Sequence, residues 1–157
     1  MRRNRTVARA LLLATLVASI GILAGPASPA WARIKITAAY YDPSPGADPD
    51  TNAGRNQEYI VIRNTGTRSV RIGGWKLHDV PRLGTMHTFR FPAFRLRGGH
   101  TVRVHTGHGT NTATDLYWGL TYYVWGDDSD MATLLKRSGS TASTCSWGST
   151  DTSPRFC

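Results

Sequence analysis

The sequence predicts an all-β fold, an antiparallel sandwich or barrel, and three observations carry that prediction. After Arg33 no stretch sustains the 3.6-residue repeat of an amphipathic helix. Short runs rich in Ile, Val, Thr, Tyr and Phe alternate apolar and polar residues instead. Sixteen Gly and eight Pro cut the chain of 157 residues into these short runs. Neither βαβ spacing nor an internal repeat is present, so a single folded domain is expected.

The first segment reads as a leader. Arg2, Arg3, Arg5 and Arg9 precede an apolar run over residues 10–24, and Ala30-Trp31-Ala32 supplies a small-x-small exit. Charged start, short apolar middle and small-residue end are the parts of a secretory signal peptide, expected here over residues 1–32. A retained anchor is the alternative, but fifteen apolar residues at ~1.5 Å each fall short of a ~30 Å hydrocarbon core. The expectation is a secreted, extracellular protein starting at Arg33, with no stable membrane insertion after cleavage. The remaining 125 residues carry fifteen basic and ten acidic groups, a net charge of +5.

The strands follow in order. Residues 34–37 alternate, then Tyr40-Tyr41 lead into a Pro- and Gly-bearing loop over 42–56. Residues 58–64 form the strongest run, with Ile60 and Ile62 on one face and Tyr59, Val61 and Arg63 on the other. Asn64 is placed to satisfy backbone at the strand end, and Gly66 to take a positive φ. Further short strands are expected over 70–72, 75–79, 88–91, 94–97, 101–105 and 115–118. Val124-Trp125 precede a hairpin-like turn, Gly126-Asp127-Asp128-Ser129, and 131–135 is the last clear strand. Cys145 and Cys157 are the only cysteines. In an oxidising compartment they are expected to form a disulfide that ties a Gly/Ser/Thr-rich tail, residues 138–157, to the body. A bond from Cys157 to another molecule is the alternative.

Several of these runs resemble the lamin tail domain. They are Glu58-Tyr59-Ile60-Val61-Ile62-Arg63-Asn64-Thr65-Gly66, then Gly74-Trp75-Lys76-Leu77-His78-Asp79, residues 89–94 and Leu96-x-x-Gly99. Val102-Arg103-Val104-His105-Thr106-Gly107, Asp115-Leu116-Tyr117-Trp118-Gly119, Val124-Trp125 and Met131-Ala132-Thr133-Leu134 are similar to the bacterial version. The resemblance covers nearly all of residues 34–137 and implies an immunoglobulin-like β-sandwich over 33–137. It also implies a recognition module rather than an enzyme, with DNA, protein or membrane-proximal partners.

Charge supplies the leading site. Residues 55–103 hold ten basic groups against two acidic ones, a net of +8, while the flanking segments are slightly acidic. Arg63, Arg71, Lys76, Arg90, Arg95, Arg97 and Arg103 fall on outward positions, and His78 and His105 share their parity. If the strands lie side by side, these nine residues form one cationic sheet face suited to phosphate, sulfate or carboxylate polymers. Nucleic acid or an anionic polysaccharide is then the partner. If two sheets divide them, each is merely solvated. Tyr117, Trp118, Tyr122, Tyr123 and Trp125 offer a second reading, an aromatic shelf for a protein or glycan partner, with core packing as the alternative. A purely structural domain is the third reading.

Catalytic and metal readings are poor. His105-x-x-His108 has no evident third ligand, and Asp127, Asp128 and Asp130 lack the order of a known Ca²⁺ loop. No metal, cofactor or catalytic residue is therefore expected. A small nuclease using His78, His105 or His108 is the one enzyme class worth assaying.

Overall fold

The structure, a computed structural model, describes residues 34–42, 50–81 and 84–157. The expected leader lies outside the described residues, as does Arg82. Among the described residues, eleven strands and one helical turn follow in order. They are β1 (Ile34–Tyr40), α1 (Asn52–Arg55), β2 (Tyr59–Asn64), β3 (Val70–Arg71), β4 (Lys76–His78), β5 (Thr88–Arg90) and β6 (Arg95–Leu96). β7 (Thr101–His105), β8 (Asp115–Tyr117), β9 (Asp130–Leu135), β10 (Thr141–Trp147) and β11 (Arg155–Phe156) complete the set.

The strands form three sheets, ordered β11-β1-β2-β7-β8, β10-β9-β4-β5 and β3-β6. This is an immunoglobulin-like all-β sandwich. Alternation explains how it closes: Ile60, Ile62, Val102, Val104 and Leu116 point inward from the five-stranded sheet, and Leu77, Phe89, Ala132 and Leu134 from the four-stranded one. Ile72, Phe91 and Leu96 extend that core toward the two-stranded sheet.

Four expectations are corrected. β8 pairs with β7 in parallel, so the sandwich is not wholly antiparallel. Val124 and Trp125 form no hairpin strand; both are buried in a loop that leads into β9. The expected tail, residues 138–157, is not only a tethered tail: β10 and β11 within it join the two main sheets. Gly66 does not take a positive φ; Gly99 does, at 75°.

Asn64 acts as expected at the end of β2. It is fully buried, its side-chain amide donates to the carbonyls of Arg68 and Leu96, and its Oδ1 accepts from Gly66 N–H. That network pulls the 65–69 turn against residues 96–99. A Cβ on Gly98 would sit 2.1 Å from the Thr67 carbonyl oxygen. Gly98→Ala is therefore expected to lower stability by about 2 kcal/mol through backbone overpacking, read as a fall in thermal midpoint.

Glu58 is the most deeply buried ionisable residue among the described residues, with no exposed surface. Its two carboxyl oxygens accept from Val124 N–H at 3.2 Å and Trp125 N–H at 2.8 Å, anchoring the loop between β8 and β9. Burial pushes its pKa up to about 8, against the pull of Thr106 and those two amides.

Candidate functional site

The nine positions expected to form one cationic face are divided among three sheets. Arg63, Arg103 and His105 belong to the five-stranded sheet; Lys76, His78 and Arg90 belong to the four-stranded sheet. Arg71 and Arg95 belong to the two-stranded sheet, with Arg97 just after it. The outward parity is right, but no common face results.

Two of the nine are occupied structurally. Arg103 Nε donates to Asp115 Oδ1 at 2.6 Å, and its guanidinium lies 5.7 Å from the Tyr59 ring centre. His105 is 7% exposed; Nδ1 lies 2.6 Å from the Asn56 carbonyl oxygen, Nε2 lies 3.0 Å from Asp115 Oδ1, and its ring stacks on Tyr117. Burial works to raise the Asp115 pKa, but bonds from Thr114, His105 and Arg103 outweigh it and hold the carboxyl well below the usual carboxylate range. His78 is a poor cation too. Burial first, and the Lys76 charge second, lower its pKa against the pull of Asp79.

The remaining charges are presented. Lys76 and Arg90 stand opposite each other on β4 and β5, and Arg63 stands opposite Lys35 on β1. A third group lies elsewhere. Arg71 on β3 and Arg95 on β6 are direct cross-strand partners, both exposed. With Arg137, just beyond β9, they line an open groove of roughly 750 Å³ whose wall includes Trp75, Phe91 and Phe94. The turn that shapes the groove is set by backbone bonds: Ile72 N–H donates to Phe94 O, Gly74 N–H to Phe91 O, and Phe91 N–H to Trp75 O. Gly74 holds a φ of 79°, and a Cβ there would sit 3.0 Å from Arg137 Nε. Glycine thus serves the turn and leaves room for the third guanidinium.

Like charges directly opposite on a sheet destabilise it, so Arg71 facing Arg95 does nothing for folding. None of Arg71, Arg95 and Arg137 makes an ion pair among the described residues. Three planar forks around one groove can hold an anion through bidentate, charge-assisted bonds. Trp75 and Phe94 add apolar surface for whatever carries the anion.

A family model for the lamin tail domain matches residues 27–149. The chain belongs to the lamin tail domain family. That family is immunoglobulin-like and non-enzymatic, and it supplies binding or structural modules. No curated protein matches the chain. The family match runs beyond Arg137, where the sequence resemblance ended, and takes in all of β10.

In this lamin tail domain the five shelf aromatics do not form one surface. Trp125 is 3% exposed and packs edge-on against Trp118 and Trp147 within the core. Tyr117 lies on the outer face of the five-stranded sheet against His105. Tyr122 is 46% exposed and contacts His87, while Tyr123 is half-buried. The acidic turn is likewise committed locally. Asp130 is buried and accepts from the N–H groups of Val80, Gly126 and Met131. Cys145 and Cys157 are joined, with Cα atoms 5.7 Å apart.

Sequence reasoning missed Arg137 and the role of Glu58. Arg137 lay in a segment of net negative charge, and summing over segments hid it. Glu58 gave one signal: an acid heading the most apolar strand in a region otherwise basic.

Proposed function

We propose that this lamin tail domain is an exported, non-catalytic module that docks on an extracellular polyanion through the Arg71, Arg95 and Arg137 groove. One observation carries the reading: Arg71 and Arg95 face each other across β3–β6, with Arg137 on the same groove. Guanidinium groups in that number, with no ion pair among the described residues, favour polymers bearing phosphate, sulfate or carboxylate, DNA or an anionic wall polymer among them. The signal-peptide pattern of residues 1–32 supports export from the cell. The structural use of His105, Asp115 and Asp130 supports binding over catalysis.

Retention on immobilised heparin and on duplex DNA across a salt gradient tests the proposal. Elution at rising salt is expected on at least one of the two, and their order distinguishes polysaccharide from nucleic acid. Absence of retention at low salt, or retention indifferent to salt, would sink it.

A further inference from the structure

The outer edge of β1 is closed by a short strap, residues 148–157. β11 pairs with it at two positions, Ala38 with Phe156 and Ala39 with Arg155. Cys157 N–H donates to the Thr37 carbonyl at 3.0 Å. Ser153 Oγ accepts from both Tyr41 N–H and Asp42 N–H at 3.2 Å, and Ser143 Oγ on β10 accepts from Ile36 N–H. The backbone of an otherwise free edge strand is thereby satisfied along most of its length.

The strap adds almost nothing to the core. No residue after Trp147 belongs to the core, and Phe156 is 71% exposed. Its one covalent tie is the disulfide from exposed Cys157 to Cys145, which is 3% exposed on β10. Edge pairing without core burial is an exchangeable contact. Any chain carrying the same segment satisfies the edge equally well. The seven residues of 148–154 can extend by up to ~23 Å, enough to reach a neighbouring copy.

We propose that the β1 edge is a strand-exchange surface, on which the strap of a second copy replaces the chain's own and Cys157 of one copy bonds Cys145 of the other. The chemistry requires only a small thiol and no net redox change. Its thiolate attacks exposed Cys157 Sγ, forming a mixed disulfide and releasing Cys145 as a thiolate. The Cys145 thiolate of the second copy then attacks that mixed disulfide, and the small thiolate leaves again. Two bonds within chains become two bonds between chains. Because the tethered strap has an effective concentration of about 1 mM, exchange favours crowded copies. This inference stands independently of what the arginine groove binds.

The test mixes equal amounts of ¹⁴N- and ¹⁵N-labelled oxidised protein at about 1 mM, with a glutathione buffer, followed by alkylation and peptide mass analysis. The expected product is a Cys145–Cys157 cross-link bearing one label of each kind, approaching half of all intermolecular links. Same-label Cys145–Cys157 peptide alone would overturn the proposal. So would a predominance of Cys157–Cys157 links, which random collision of the exposed thiol produces without any strand pairing.

Discussion

Glu58→Ala is expected to remove about half of the stability of this domain, and Glu58→Gln to abolish a fall in stability between pH 7 and pH 9. Truncation leaves the Val124 and Trp125 amides buried without acceptors and opens a void beside them. Each orphaned amide costs about 1–3 kcal/mol, so the loss is on the order of half of a typical total of ~10 kcal/mol. The pH dependence has a defined sign. The folded-state pKa is about 8 against 4.5 for the reference carboxyl, so the folded protein binds the Glu58 proton more tightly. The contribution is complete below pH 4.5 and is lost as the pH rises through 8. Between pH 7 and 9 the loss is on the order of 1 kcal/mol, a drop of a few degrees in thermal midpoint. That window isolates Glu58. The lowered pKa of His78 acts below its reference value of 6.5, and the depressed Asp115 acts at acid pH. Thermal melts at pH 7, 8 and 9 check it. A wild-type midpoint that stays level or rises across the window contradicts the assignment.

Neutralising Arg71, Arg95 and Arg137 together to Gln is expected to eliminate most polyanion binding while leaving the fold intact. A charge-assisted hydrogen bond contributes ~1.5–3 kcal/mol, so each single Arg→Gln change should weaken binding by about tenfold or more. All three side chains are exposed and carry no ion pair among the described residues. Relieving the opposition of Arg71 and Arg95 should if anything raise the thermal midpoint. The matched control is Lys76→Gln with Arg90→Gln, an equally opposed pair on β4 and β5 that does not line this groove. Its effect on affinity should be no more than a few-fold. Equal losses in the two variants would mean diffuse charge, not the groove, holds the polymer.

Period-two patterning located β1 through β9 because their inward residues are large and apolar, as in Ile60 and Ile62 or Val102 and Val104. It failed where that contrast vanishes. β10 is mostly Thr, Ser and Ala, and a register shift between Thr141 and Ser143 breaks its alternation. β11 is two residues long and exists only because β1 offers it an edge. The parallel pairing of β8 was equally hidden, since alternation carries no information on strand direction. The α1 turn rests on the Thr51 hydroxyl accepting from Gly54 N–H, a single cap in a loop rich in breakers.

The site was legible only in part, for a related reason. Parity assigns Arg71, Lys76 and Arg103 outward, yet which sheet each joins is decided by long-range pairing. His105 occupies an outward position but is covered by Asn56 from the end of α1 and by Tyr117 from β8. Arg71 and Arg95 are 24 residues apart and meet through β3–β6, while Arg137 arrives from beyond β9. Segment charge indicated a basic protein; only the topology gathers three of its arginines.

The most direct test of the central claim is the salt dependence of affinity for a duplex DNA or a heparin oligosaccharide, measured for the wild type and the triple Arg→Gln variant. On DNA, each lost phosphate contact lowers the slope of log K against log salt by about 0.9. The account predicts a steep wild-type line and a variant line shallower by about 2–3 units, with the same ordering on heparin. Two parallel lines would contradict it.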